Sequence, residues 1–151
     1  LRRLDVVKAG AGTGTVSGSP SGISSDINCG TACSADSAAY IINTLVTLTA
    51  VPDAVNAFTG WSGGGCHGTG PCDMTMDTVK IVTAMFIIKG DINLDGTVNL
   101  ADAILALQAF VGLNSPGIQT DYATLGTDVN GDNKIGLAEV IYILQKAAGM
   151  R

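Results

Sequence analysis

The hydrophobic pattern of this 151-residue chain changes period once, and that change divides it in two. Up to Ile88, apolar residues alternate with period two between clusters of Gly, Ser and Pro, as they do in half-buried strands. The clearest case is Val46-Thr47-Leu48-Thr49-Ala50, where Val46, Leu48 and Ala50 share one face and the threonines the other. Leu4 to Ala9, Thr13 to Ser17, Ala57 to Trp61 and Val79 to Ile87 read as further strands. Turn signals separate them: Gly10-Ala11-Gly12, Ser19-Pro20-Ser21-Gly22, Pro52-Asp53 and Ser62-Gly63-Gly64-Gly65. After Gly90 the spacing becomes helical. Leu100, Ile104, Leu107 and Val111 recur on one face, as do Leu137, Ile141, Leu144 and Ala148, with Gly112 and Gly149 as helix stops. The expected organisation is a small antiparallel β domain over residues 1–88 and, with almost no linker, a helical domain over 89–151.

The four cysteines form two close pairs, Cys29/Cys33 and Cys66/Cys72. Three connectivities are open to four cysteines, and pairs this close most simply close locally. Each small loop then stabilises the fold by roughly 2 kcal/mol on a chain-entropy argument. A four-cysteine zinc site with His67 nearby is the rival, but the C-x3-C and C-x5-C spacings suit it poorly. Disulfides imply an oxidising compartment, so the chain is expected to work outside the cell or at its surface. Residue 1 is Leu and no signal peptide precedes it, which reads as a mature or trimmed product.

Charge narrows the partners. Eight Lys and Arg stand against thirteen Asp and Glu, a formal charge of −5. Nucleic acid and anionic membrane surfaces both require clustered positive charge, and none is present. The longest apolar run, Ile81 to Ile88, is too short to span a bilayer.

Two acidic loops precede the two helical runs. In the first, Asp91, Asn93, Asp95 and Asp102 place side-chain oxygens at positions 1, 3, 5 and 12 of a 12-residue loop, and Thr97 offers its carbonyl. Gly96 permits the sharp turn at position 6. In the second, Asp128, Asn130, Asp132 and Glu139 take the same positions, Lys134 supplies a carbonyl, and Asn133 replaces the glycine. Glu139 is the only Glu in the chain. These are EF-hand-type loops, and the expectation is two bound calcium ions. Asp102 is shorter than Glu139, so the first site is expected to differ in shape and be the weaker. Val98 and Ile135, at position 8, are expected to join the loops through a short β-bridge.

On these motifs residues 90–151 resemble a dockerin repeat pair, two loop–helix units joined by Leu113 to Thr127. The resemblance implies an α-helical domain, two calcium ions and a cohesin-like partner, with the chain anchoring a secreted enzyme to a scaffold. Partner recognition in that family typically uses polar residues at loop positions 10 and 11. Here these are Leu100-Ala101 and Leu137-Ala138, so calcium binding carries over better than cohesin binding.

The preceding segment carries Lys8-Ala9-Gly10, Thr15-Val16, Ile27-Asn28-Cys29-Gly30, Val46 to Ala50, Phe58-Thr59-Gly60-Trp61 and Val82-Thr83-Ala84-Met85-Phe86. It resembles the divergent internalin B-repeat-like modules of bacterial surface proteins. That resemblance implies a β-grasp-like structural module without catalytic chemistry, and with the helical part an α+β multi-domain protein.

Val82, Ala84 and Phe86 should face the core, yet Ile81, Met85 and Ile87 on the alternate face are apolar too. Tyr40-Ile41-Ile42 stands where such modules place a polar turn. These six residues are candidate interface positions, facing either the calcium domain or a neighbouring molecule. No catalytic residue is expected. His67 lies in a glycine-rich turn without a partner, and Trp61 sits where a small β domain needs a core aromatic. Gly10 to Gly14 lacks the lysine and helix of a phosphate loop. The expected function is a calcium-stabilised, non-enzymatic structural or adhesive protein. It is expected to self-associate as a homo-oligomer or head-to-tail filament, with the strand Leu1 to Ala9 pairing on a neighbour's open sheet edge.

Overall fold

A computed structural model describes residues 1–113, 116 and 126–150. Among these residues eight strands form: β1 (Arg2–Ala9), β2 (Gly14–Ser19), β3 (Asn28–Cys29), β4 (Ala35–Tyr40), β5 (Leu45–Pro52), β6 (Asn56–Ser62), β7 (Cys72–Thr75) and β8 (Lys80–Ile88). They make two four-stranded sheets, β4-β1-β8-β6 and β3-β2-β5-β7. Residues of both sheets share one core. Leu4, Val6, Val82, Ala84 and Phe86 from the first sheet meet Val16, Val46, Leu48 and Met74 from the second. Alternation decides which side chains enter this core, since Val82, Ala84 and Phe86 are fully buried while Ile81 and Met85 point outward.

The β-grasp-like expectation is therefore replaced by two packed sheets with no helix inside residues 1–88. Nor is the unit purely antiparallel. β1 runs parallel to β8, from Leu4 beside Lys80 to Ala9 beside Met85, and antiparallel to β4 on its other side. Both edges of β1 are thus occupied within the chain. The N-terminal strand has no free edge with which to reach a neighbour.

Two local features tie the β unit together. Cys29 bonds to Cys33 and Cys66 to Cys72, the local pairing expected. The Lys8 ammonium donates to the carbonyls of Gly14, Gly30 and Thr31, at 2.8, 2.6 and 3.2 Å, and so pins the first disulfide loop against β2. Burial pushes the Lys8 pKa down, while the nearby Asp53 charge opposes the shift. Gly10 belongs to the turn that leaves β1. Its φ is +88°, and a Cβ there would overlap the Phe86 carbonyl, which explains the glycine without any phosphate.

Two eleven-residue helices follow, α1 (Leu100–Phe110) and α2 (Leu137–Ala147). Gly112 and Gly149 follow them with φ of +78° and +69°, the left-handed conformation that ends a helix. The helices pack together over a second small core of Ile92, Ala103, Ala106, Ile135, Val140 and Ile143. The protein is mostly β, and this short helix pair does not make an α-helical dockerin-like domain. The first acidic loop is entered directly from β8, so it lacks the incoming helix of an EF-hand. The segment expected to join the two loop–helix units, Leu113 to Thr127, falls largely outside the described residues.

Gly126 fixes the approach of this part to the sheets. Its φ is +75°, and a Cβ would overlap that of Ala57 on β6. Gly126→Ala is expected to cost about 2–3 kcal/mol, from left-handed strain and overpacking together. Urea denaturation checks this, and an unchanged midpoint would show that the approach is not tightly packed.

Candidate functional site

The acidic loops repeat each other residue for residue. In the first, Asp91 is almost fully buried, and its carboxylate accepts from the amides of Asp95 and Gly96 at 3.1 and 2.9 Å. In the second, Asp128 accepts from Gly131 and Asn133, both at 2.6 Å. The Asn93 side chain accepts from the Asp95 amide and donates to its carboxylate. Asn130 does the same to Asp132. Asp95 accepts from the amide and hydroxyl of Thr97, and Asp132 from the amide of Lys134. Asn133 has φ +61°, the left-handed turn that Gly96 makes at φ +90°.

The last acidic residue of each loop reaches back across it. Asp102 accepts from Ile92 and Asn99, both at 2.9 Å, and Glu139 from Val129 and Gly136 at 3.3 and 2.7 Å. Both carboxylates are fully buried. Asp102 also closes a capping box on α1, because it accepts from the amide of the N-cap Asn99, whose side chain accepts from the Ala101 amide. The spacing Asn99-x-x-Asp102 carried that signal, but a calcium reading of the loop hid it.

Electrostatics separate the carboxylates. Burial pushes the Asp91 carboxyl up, reinforced by the Asp102 and Asp95 charges and opposed by amide hydrogen bonds from Gly96 and Asp95. Asp95 is held below the usual carboxylate range, first by the Thr97 hydroxyl and then by Asn93. The ion pairs Arg3–Asp5 and Lys80–Asp77 both lie in the β unit. Lys146 approaches Asp91, but its ammonium donates to the Lys89 carbonyl.

A metal reading meets a direct test in this geometry. Among the described residues, no three His, Cys, Asp or Glu side chains converge closely enough to hold a metal ion. The carboxylates are turned onto loop amides, so they form no ready-made coordination sphere. With no incoming helix before the first loop either, these are not EF-hands and the helical part is not a dockerin-type domain. The donor chemistry itself suits a hard cation. Each loop offers only oxygen ligands, and Asp91, Asp102 and Glu139 are buried with no ion pair to a basic side chain among the described residues, although the Lys146 charge acts on Asp91. The expected β-bridge is not formed. Val98 and Ile135 instead pack in the helix core.

The interface candidates divide. Ile41, Ile42, Ile81 and Met85 are exposed. Tyr40 is buried in the sheet core, with its hydroxyl lacking a hydrogen-bond partner among the described residues, and is no surface residue. Ile87 is buried too, close to Gly126, so packing within the chain accounts for it. His67 lies exposed in its turn. Trp61 is a core residue whose indole donates to the Gly70 carbonyl at 2.7 Å.

Both sheets present mixed outer faces. Ser17, Thr49, Asp73 and Thr75 point outward from the second sheet together with Leu45 and Val51, and Val7, Ile81 and Met85 do so from the first together with Arg3. The helices carry apolar surface too, because the stripes predicted from their spacing face outward. Among the described residues no helix is long and apolar enough to cross a membrane. The two disulfides are of the kind that persist in oxidising surroundings outside the cytoplasm. No known protein family, curated protein or solved structure matches this chain.

Proposed function

We propose that this is a non-enzymatic extracellular structural protein that self-associates, and that calcium ions in its two acidic loops rigidify the surface it assembles through. The observation that carries this reading is the exposed apolar surface. Ile81 and Met85 on the first sheet, with Leu100, Ile104, Leu137 and Ile141 on the helices, are 40–62% exposed. Only 14% of the residues are charged, which leaves little to keep such surfaces apart. Asp91, Asn93, Asp95 and Asp102, with the Thr97 carbonyl, would hold one ion. Asp128, Asn130, Asp132 and Glu139, with the Lys134 carbonyl, would hold the other. When bound, calcium supplies positive charge that balances the buried carboxylates. Two ions bring the net charge from −5 to about −1, and a near-neutral surface favours association.

Sedimentation velocity and electron microscopy at high protein concentration test this, in millimolar calcium and again with a chelator. Oligomers or filaments that depend on calcium are the expected result. Monomers under both conditions would sink the self-association. Assemblies indifferent to the chelator would remove calcium from the proposal.

A further inference from the structure

The helical part is built twice, with equivalent residues thirty-seven positions apart, Asp91 matching Asp128 and Leu100 matching Leu137. The repeat extends to burial. Asp102, Ala103 and Ala106 face inward on α1, and Glu139, Val140 and Ile143 face inward on α2. Leu100, Ile104 and Leu107 are 62, 48 and 44% exposed, and Leu137, Ile141 and Leu144 are 56, 46 and 43% exposed. Spacing of i, i+4 and i+7 aligns each set as one ridge, on the side of the helix away from its packed face. A surface helix in water ordinarily shows charge on that side. The only acidic residue of α1, Asp102, is buried, and the helix has no basic residue.

We propose that these ridges are the contact between copies of this chain, the α1 ridge of one copy packing against the α2 ridge of the next. This rests on the self-association reading and names its surface. Two points single out a second copy as the occupant. The duplication gives every chain two ridges of the same spacing, so each copy carries the surface its neighbour needs. Both ridges are apolar, and neither opposes the other with charge. The six side chains are 43–62% exposed, and burying them removes on the order of 500–600 Å². That is below the roughly 1,000 Å² where stable interfaces begin, so a single contact is weak and forms at high protein concentration. A contact between unlike ridges is heterologous, so it leaves one α1 and one α2 ridge free at the ends and propagates unless its rotation closes.

The test uses the full chain at high protein concentration in millimolar calcium, with Leu107→Lys and Leu144→Lys as separate variants. Both positions are exposed, so melting curves should match the wild type. Sedimentation velocity is expected to show association weakened tenfold or more in each. Cross-linking supplies a second readout. Oxidising a mixture of Leu107→Cys and Leu144→Cys chains is expected to give a covalent dimer of the two, and Leu107→Cys alone to give none. Wild-type chains that assemble while both lysine variants assemble equally well would overturn the ridge contact and leave self-association standing. A dimer from Leu107→Cys alone would overturn the α1-to-α2 pairing. Wild-type chains that stay monomeric would overturn both readings, leaving the ridges to residues 114–125 or to a different protein.

Discussion

Saturating calcium is expected to stabilise the helical part by about 2.7 kcal/mol for each loop that binds it, at a hundred times its dissociation constant. The effect follows from the charges. Asp91, Asp102 and Glu139 are buried, and among the described residues their oxygens accept from neutral loop amides. Like charges crowd the first loop, where Asp95 and Asp102 both act on Asp91. A divalent cation relieves that repulsion only in the folded state, since an unfolded chain does not hold the oxygens together. Urea denaturation followed by far-ultraviolet circular dichroism, with calcium and then with chelator, measures the difference. The second loop should respond at lower calcium concentration, because Glu139 has the longer reach. Superimposable curves would remove the ion from the account of these loops.

Phe86→Ala is expected to be the most damaging single substitution in the β unit, at about 3–5 kcal/mol. Phe86 is fully buried on β8, between β1 and β6. Its ring lies 5.3 Å from that of Phe58, which in turn meets Trp61 edge-on at 4.9 Å. Gly14 has no side chain where a Cβ would overlap the Phe86 ring, so the site is filled from both directions. Truncation opens a cavity inside the core that also holds Cys29, Cys66 and Cys72. Denaturant titration with Trp61 fluorescence reads the loss. A cost below about 1 kcal/mol would mean that the aromatic cluster collapses onto the space, against the tight packing described.

Much of the strand pattern was legible because alternation survives in β1, β2, β5 and β8, and β6 is marked by its aromatics despite an irregular register. β3, β4 and β7 were not. β3 is two residues long and β7 four, and β4 (Ala35-Asp-Ser-Ala-Ala-Tyr40) is poor in β-branched residues. β4 is held by its ladder to β1 rather than by its own preference. The parallel pairing of β1 with β8 joins residues far apart in sequence, and no local signal reports it. Helix positions were legible from period and end signals, but their orientation was not. Leu100, Ile104 and Leu107 look like a core stripe, yet small Ala103 and Ala106 make the close packing and Asp102 faces inward with them. The acidic spacing was legible as a loop with oxygens at regular positions. It left open which oxygens the backbone amides would claim, and in this structure they claim most of them.

The adjacency of the first and last strands bears on how the molecule carries load. β1 and β8 lie side by side and parallel, in register from Leu4 with Lys80 to Ala9 with Met85. Tension between the N-terminus and the helices pulls the start of one strand against the end of the other. The inter-strand hydrogen bonds then resist sliding together instead of opening one at a time. The β unit is thereby suited to transmit a pull along its length without unravelling from either end.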